Sequence, residues 1–245
     1  ASVPGEVDLA ILAIPNRLVP PAMEQCARKG VKYVVIHSAG FGEIGDEGKK
    51  LEAEMMHYAR NGNVRIVGPN CMGVYSPRAG INTVVPEVPI PIKGGPAAFV
   101  GQSGWVCENY ILMAAERGLG CHKVISSGNQ SDLKTADYLE HFGGDPSIKV
   151  VGFYVEQVTE GGRFFNVVKK ISRETPLIGW KSGKSRAGAR AVRSHTGSLA
   201  GSDTAYEAAF RQAGVIRVNN LDELTDYSVA FATPYLPAGN RVGLV

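Results

Sequence analysis

The segment Ala97-Ala98-Phe99-Val100-Gly101-Gln102-Ser103-Gly104 joins a short apolar run to a turn of small residues. The apolar run predicts a strand over residues 97–100, and the spacing after the turn predicts a helix over 103–117. Ser103 is a favourable N-cap residue, and Gly104 leaves the amide groups of the first helical turn open. A strand that passes through such a turn into a helix indicates an α/β fold.

The same alternation of strand and helix continues on both sides of this segment. Upstream, the apolar pattern predicts strands at 9–14, 33–36 and 65–67, with helices at 20–29 and 47–60. Downstream, it predicts strands at 123–126, 150–155, 177–180 and 215–218, and helices at 133–142, 163–173, 202–213 and 221–232. Five apolar strands with helices between them predict a doubly wound parallel sheet covered on both faces.

A proline-rich stretch separates the two alternating units. Five prolines lie between positions 77 and 96, and proline both fixes φ and removes a hydrogen-bond donor, so we expect a linker or edge segment here. The expected domains are 1–90 and 94–236. Residues 237–245 resemble the start of a further strand, and an apolar strand begins close to the N-terminus, so we expect a fragment of a longer polypeptide.

Composition narrows the class of protein. The 245 residues are 44% hydrophobic and 20% charged, which is typical of a globular protein. The net charge of +3 is too small to favour nucleic acid as a partner, and no apolar run approaches the length that spans a membrane. The four cysteines show no CxxC spacing, so we expect free thiols, a cytoplasmic location and no metal site.

A single histidine lies in the small-residue loop Ser194-His195-Thr196-Gly197-Ser198, after a stretch from 181 to 193 that carries five basic residues and no acid. Small residues let backbone amides approach a ligand closely, and neighbouring basic residues favour a phosphate. A neutral imidazole is a nucleophile that is phosphorylated near neutral pH. We therefore predict that His195 carries a phosphoryl group.

Three other loops follow predicted strands and should share one edge of the sheet with this histidine. The start of the helix at Ser103 and Gly104 is suited to an anion, although an ordinary turn has the same sequence. Glu156 is placed to accept a hydrogen bond from His195, and an exposed strand-end carboxylate is the alternative. The segment Ser127-Gly128-Asn129 either faces the same pocket or forms a plain turn, which its residues alone favour.

Asn70 and Cys71 follow the last strand of the first unit, after Gly68 and Pro69. Asn70 offers a donor and an acceptor, whereas Cys71 is expected to act as a small buried apolar residue. The remaining histidines have no metal-ligand spacing. Of these, His37 ends a strand, where packing is favoured over a ligand contact.

Together, these segments resemble the nucleoside-diphosphate-forming acyl-CoA synthetases, which are relatives of the succinyl-CoA synthetase α subunit. The resemblance runs nearly end to end, and the order and spacing of its motifs make it specific. The motifs are 8–11 with 14–15, 38–41, 68–73, 102–104, 127–129, Glu156 and 194–201.

The resemblance implies how the chain is divided. Residues 1–90 would be the distal part of a Rossmann-type CoA-binding domain, and 94–236 a flavodoxin-like ligase domain. The matching CoA positions are Pro15, Ser38, Ala39, Asn70 and Cys71. The matching phosphate positions are Ser103, Gly104, Ser127, Gly128, Asn129, Thr196 and Gly197. His195 would be phosphorylated, with Glu156 supporting it.

The implied reaction interconverts acyl-CoA, nucleoside diphosphate and phosphate with a carboxylate, nucleoside triphosphate and CoA. ATP or ADP, with Mg²⁺, would bind mainly to an ATP-grasp domain or subunit, and relatives form homo- or hetero-oligomers. The sequence lacks that portion and the family's first βαβ unit, which spans about 30 residues or more.

Two other functions share the expected fold. One is a CoA- or acyl-CoA-sensing regulatory module fused to a protein acetyltransferase, but such modules commonly lack the carrier histidine. The other is a flavin- or nucleotide-binding receiver, which the fold alone allows but which leaves His195 and its basic loop unexplained.

Overall fold

The first sheet lies in the N-terminal part of the chain. A computed structural model describes residues 3–84, 94–183 and 202–233, with 239, 241 and 243. The three parallel strands of this sheet stand in the order β1 (Leu9–Leu12), β2 (Tyr33–Ile36) and β3 (Arg65–Val67). Helices α1 (Val19–Lys29) and α2 (Asp46–Asn61) connect them. This confirms the predicted alternation, with β1 ending two residues earlier than expected.

Local sequence explains the limits of α1. Prolines occupy its first turn, where the missing N–H would have no intrahelical partner in any case. The helix ends at Gly30, whose φ of 75° lies in the left-handed region that glycine adopts without strain. One face of the sheet packs on both helices, with Val34, Ile36 and Met23 fully buried. The other face turns Val35 towards the core of the second unit.

The second sheet has seven strands in the order β10-β9-β8-β6-β7-β4-β5. Its five parallel members are β6 (Ala97–Gly101), β7 (Cys121–Ser126), β8 (Val150–Val155), β9 (Leu177–Lys181) and β10 (Ile216–Val218). In this sheet β7 lies on one side of β6, and β8 lies on the other side, followed by β9 and β10. This is the flavodoxin-like order, and it confirms the predicted doubly wound sheet.

Two short strands at the sheet edge were not predicted. β4 (Gly73–Ser76) pairs antiparallel with β7, and β5 (Ile81–Asn82) pairs antiparallel with β4. Their hydrogen bonds attach residues 73–82 to the second sheet, which agrees with the edge interpretation for this part of the proline-rich stretch. Residues 85–93 lie outside the described residues, and the domain boundary near 90 stays a prediction.

In the described residues, five helices cover the second sheet at the predicted places. They are α3 (Gly104–Glu116), α4 (Thr135–Gly143), α5 (Gly161–Ile171), α6 (Asp203–Ala213) and α7 (Leu221–Ala232). α3 and α7 pack on one face, where Phe99 stacks on Tyr110 with ring centroids 4.4 Å apart. The other three helices pack on the opposite face, where Phe153 meets Phe164 and Phe210 edge to face. The central strands β6 and β8 are thereby buried from both sides over their whole length.

The described residues contain no helix long and apolar enough to cross a membrane. All four cysteines lie in the described part of the chain, and none forms a disulfide.

Candidate active site

The topology of the second sheet places two strand ends beside each other. β6 and β8 are neighbours, with Gly101 opposite Tyr154, but the helices that follow them lie on opposite faces of the sheet. At such a switch point the connections diverge and leave a crevice outside the carboxyl ends of the strands. Gln102 follows β6 and Glu156 follows β8, so both enter this crevice.

A cavity of about 520 Å³ opens there. Loops of both domains line it: His37, Gly42, Glu43, Glu52, Asn70, Cys71 and Met72 from the first part of the chain, and Gln102, Ser103, Gly104, Trp105, Gly128, Asn129, Glu156 and Gln157 from the second. Seven of the residues predicted from the sequence are therefore brought together: Asn70, Cys71, Ser103, Gly104, Gly128, Asn129 and Glu156.

The start of α3 forms one wall of the cavity. Ser103 caps the helix as predicted, because its Oγ accepts a hydrogen bond from the backbone N–H of Val106 at 3.4 Å. The amides of Gly104 and Trp105 precede that position, and amides in the first turn have no intrahelical acceptor. Together with the helix dipole, they make this wall suited to an anion.

Glu156 forms the facing wall and is only 6% exposed. Its backbone N–H donates to Oε1 of Gln102, and the N–H of Gln157 donates to the same oxygen at 3.0 Å. The hydroxyl of Tyr154 donates to Oε1 of Glu156 at 3.3 Å. Burial raises the pKa of Tyr154 to about 12, and the nearby carboxylate adds to the rise. The phenol therefore stays protonated and can donate to Glu156 at neutral pH.

The described part of the predicted basic stretch is Lys181. It ends β9 and is 4% exposed, with Nζ donating to the backbone oxygen of Ser182 and lying 4.9 Å from the ring centroid of Tyr206. Burial lowers the pKa of this lysine. His195, Thr196 and Gly197 lie outside the described residues, so their predicted roles stay predictions.

Hydrogen bonds join the two domains along the cavity floor. The backbone N–H of Asn129 donates to the oxygen of Pro69 at 2.9 Å, and that of Ser131 donates to the oxygen of Gly68 at 3.1 Å. Asn70 Nδ2 also donates to Oδ1 of Asn129 at 3.3 Å. The loop after β3 and the loop after β7 are therefore held together by main-chain and side-chain contacts.

Ser127 and Gly128 serve this same junction. Ser127 is fully buried, its Oγ donating to the oxygen of Gly101 at 3.2 Å and accepting from Nε2 of Gln130 at 2.7 Å. Its side chain is held inside the turn and does not line the cavity. Gly128 has a φ of 53°, and a Cβ there would lie 2.1 Å from the oxygen of Pro69. Only glycine allows this approach.

The predicted CoA positions divide into two groups. Asn70 and Cys71 line the cavity, whereas Pro15, Ser38 and Ala39 lie at the carboxyl ends of β1 and β2, outside its lining. Pro15 and Ala39 are exposed. Ser38 is half-buried, and its backbone oxygen accepts from the N–H of Asn70 at 2.9 Å, which connects the two groups.

Cys71 fits the prediction of a buried apolar residue. Its thiol donates to the backbone oxygen of Ile36 at 3.3 Å, and burial raises its pKa to about 12. Because the thiolate is the nucleophilic form, this cysteine is inert at neutral pH.

Two carboxylates on the cavity wall were missed by sequence reasoning. Glu43 accepts from the backbone N–H groups of Gly40 and Phe41 at 2.5 and 3.1 Å, and from Nδ2 of Asn129 at 2.5 Å. Glu52 accepts from the N–H of Gly42 at 2.9 Å and from the hydroxyl of Ser131 at 2.7 Å. Both are used to hold loops in place, and no motif in the sequence marks either one.

Three other lining residues were also missed or given little weight. His37 was assigned to packing, but it reaches the cavity from the end of β2, and burial lowers its pKa. Met72 directly follows Cys71, and Trp105 directly follows Gly104. Because Cys71 and Gly104 were predicted to belong to the site, this adjacency was the signal in the sequence that could have identified both residues. Among the described residues, no group of three or more histidine, cysteine or acidic side chains is placed to hold a metal ion.

Comparisons with known proteins find relatives of both parts of the chain. The family described as succinyl-CoA ligase like flavodoxin domain matches residues 94–231, and the family described as CoA binding domain matches residues 1–77. The α subunit of an ADP-forming acetate–CoA ligase II from Pyrococcus furiosus is 43% identical, covering 99% of this chain and 52% of that protein. The ADP-forming 4-hydroxybutyrate–CoA ligase of Nitrosopumilus maritimus is 37% identical, covering 99% of this chain and 35% of that protein.

A solved structure is also similar. It is the dinucleotide forming acetyl-coenzyme A synthetase 1 of Ca. Korarchaeum cryptofilum, in complex with phosphate and ADP. The TM-score is 0.89 at 32% identity, covering 97% of this chain and 51% of that one. The chain thus spans about a third to a half of the length of the relatives it matches.

Proposed function

The chain belongs to the family of ADP-forming acyl-CoA ligases related to succinyl-CoA ligase, and we propose that it supplies the CoA-binding and phosphohistidine-forming part of such an enzyme. The whole enzyme would interconvert acyl-CoA, phosphate and nucleoside diphosphate with a carboxylate, CoA and nucleoside triphosphate. The observation that carries this proposal is the cavity at the switch point. It joins a capped helix start and a buried carboxylate to loops of the domain that matches CoA-binding proteins.

CoA is proposed to approach from the first domain. Pro15 and Ala39 are exposed at the carboxyl ends of β1 and β2, the edge at which ligands bind in open α/β sheets. Asn70 lies between that edge and the cavity, where its amide offers a donor and an acceptor. The thioester end of an acyl-CoA would then reach the cavity while the rest of the molecule stays on the first domain.

Phosphate is proposed to bind at the start of α3. The amides of Gly104 and Trp105 would donate to its oxygens, and the helix dipole would favour its charge. A phosphate oxygen attacks the thioester carbonyl carbon, the carbon–sulfur bond breaks, and the sulfur leaves as the thiolate of CoA. The product in the cavity is an acyl phosphate.

His195 is proposed to take the phosphoryl group from this acyl phosphate. The imidazole nitrogen attacks phosphorus, the bond to the acyl oxygen breaks, and the carboxylate leaves. Glu156 would accept a hydrogen bond from the other ring nitrogen, which fixes the tautomer and stabilises the positive charge of the phosphorylated ring. The hydroxyl of Tyr154 holds that carboxylate in place on the cavity wall.

The second transfer is proposed to occur at another site. The phosphorylated His195 would pass its group to a nucleoside diphosphate on an ATP-grasp domain or subunit, so the two substrates need not share a pocket. Mg²⁺ would accompany the nucleotide and neutralise phosphate charge. We also propose that the enzyme is a homo- or hetero-oligomer. The matches give no support to the alternative of a CoA-sensing regulatory module.

The test is phosphorylation of the complete enzyme with radiolabelled ATP and Mg²⁺. We expect an acid-labile, base-stable phosphoryl group on His195 that His195→Ala abolishes while CoA binding is retained. His57→Ala replaces an exposed histidine outside the cavity and should label normally. Equal labelling of His195→Ala would refute the carrier role.

A second pair of variants tests the role of the carboxylate. Glu156→Gln should lower the phosphohistidine yield without unfolding the chain, because the amide retains the shape but loses the charge. Glu116→Gln changes an exposed glutamate of α3 and is the matched control. An unchanged yield in Glu156→Gln would remove this residue from the mechanism.

A further inference from the structure

The side chain of Trp105 is exposed inside the cavity. It is 63% exposed, the highest fraction among the large apolar side chains of the described residues, and it lines the cavity beside the helix start. Tryptophan is strongly buried in most proteins, so an exposed indole in the lining of a cavity is available for contact with a ligand. Helical side chains tilt towards the N-terminus of their helix, so the indole leans over the first turn of α3.

Met72 extends this apolar surface. A Cβ at Gly104 would lie 2.5 Å from Cγ of Met72 and 2.7 Å from its sulfur, so the glycine allows the methionine to pack against the helix start. The backbone N–H of Met72 donates to Oγ of Ser126 at 3.0 Å, which fixes its position. A flexible thioether and an indole in the same cavity lining make an adaptable wall for a flat apolar group.

The charges of the described lining are unfavourable for a second carboxylate on a substrate. No lysine or arginine occurs among these described lining residues. Glu43 and Glu52 are carboxylates already engaged by loop amides, and burial keeps His37 towards its neutral form by lowering its pKa. Within the described lining, a carboxylate at the far end of an acyl group would be desolvated without a lysine or arginine to pair with.

We propose that Trp105 is a specificity-determining residue that, with Met72, takes the uncharged distal end of the acyl group. The wall favours aryl and other flat, apolar monocarboxylic acids over dicarboxylic acids. This inference rests on the proposed function, because it places the reacting carbonyl at the anion site that begins with Ser103. Consecutive Cα atoms are about 3.8 Å apart, so the indole starts within one or two residues of that site.

The test compares phenylacetyl-CoA, acetyl-CoA and succinyl-CoA as substrates of the complete enzyme, with ADP and phosphate. Trp105→Ala should lower kcat/KM for phenylacetyl-CoA by about 10- to 30-fold, mainly through KM, because an aromatic contact is lost. The kcat/KM for acetyl-CoA should change by less than about 3-fold, because the acetyl group is too small to reach the indole and alanine retains the backbone amide that is proposed to bind phosphate.

Two further variants separate contact from structure. Trp105→Phe keeps a ring and should recover most of the activity on phenylacetyl-CoA. Tyr227→Ala removes an exposed aromatic residue of α7 outside the cavity lining and should change none of the three substrates. Equal losses on phenylacetyl-CoA and acetyl-CoA in Trp105→Ala would overturn the proposal, as would wild-type activity on succinyl-CoA that matches activity on phenylacetyl-CoA.

Binding tests the same inference without turnover. The chain has two tryptophans, so Trp180→Phe leaves Trp105 as the single indole reporter. Phenylacetyl-CoA should quench its fluorescence at lower concentration than succinyl-CoA, and equal quenching would overturn the proposal. Failure of the proposed function has a different signature, since labelling of His195 from ATP needs no acyl group and would be absent with every variant.

Discussion

Replacing Gly128 by alanine should destabilise the junction between the two domains. The glycine has a φ of 53°, a left-handed conformation that costs an L-residue about 1 kcal/mol or more. Its Cβ would also lie 2.1 Å from the oxygen of Pro69 and 2.5 Å from that of Asn70. Both neighbours are backbone atoms that cannot rotate away, so overpacking adds about 1–3 kcal/mol. The expected total is about 2–4 kcal/mol.

Gly118→Ala is the matched control for this experiment. Gly118 has a φ of 75°, but no atom lies within 4 Å of the position its Cβ would take. Its replacement therefore carries the conformational cost alone, about 1 kcal/mol. The difference between the two variants isolates the steric contribution of the domain junction.

The measurement is thermal unfolding of both variants against the parent chain. Since about 1 kcal/mol shifts Tm by roughly 2–4 °C for a chain of this size, Gly128→Ala should lower Tm by roughly 4–16 °C. Gly118→Ala should lower it by only roughly 2–4 °C. Equal shifts in the two variants would mean that the contact of Gly128 with Pro69 contributes nothing to stability.

Two further predictions concern cysteine chemistry and pH. Iodoacetamide at pH 8 should alkylate the half-buried Cys26 of the native chain well before Cys71, because burial raises the pKa of Cys71 to about 12. Peptide mass spectrometry measures the two alkylation rates, and comparable rates would contradict the prediction. Hydrogen bonds from Ser147, together with Lys123, hold the pKa of Asp145 below its usual value of 3.8. The folded state therefore gains stability from this carboxylate above about pH 4 and loses it as the pH falls further. Asp145→Asn should flatten the fall of Tm with acid, and an unchanged slope would refute the assignment.

The central strands were predictable because burial from two sides leaves a continuous apolar run. Every residue of β8 is buried, and its predicted limits are the observed ones. β4 gives no such signal, because it is four residues long and ends at Ser76, directly before Pro77. Its strand conformation depends on pairing with β7, a segment about fifty positions away in the sequence, and local propensity does not encode such a partner.

In the candidate site, too, some residues were predictable from local sequence and others were not. Ser103 and Glu156 were predictable because both lie just past the end of an apolar strand: Ser103 is two residues after β6, and Glu156 directly follows β8. The carboxyl ends of parallel strands meet at one edge of a sheet. Glu43 and Glu52 were not predictable, because their role depends on loops that meet only in the folded chain. Glu43, for example, accepts a hydrogen bond from Asn129, a residue 86 positions further along.

The domain junction gives a physical reason why a few side chains would suffice for the proposed acyl specificity. Hydrogen bonds between the loops that contain Pro69 and Asn129 hold the proposed CoA side of the cavity against the proposed phosphate side. Met72 follows the first of these loops and packs against Gly104 at the helix start. The distance between the proposed thioester entrance and the helix start is therefore set by the fold. With that distance fixed, the indole of Trp105, which lies next to the helix start, is the group proposed to select which acyl tails fit.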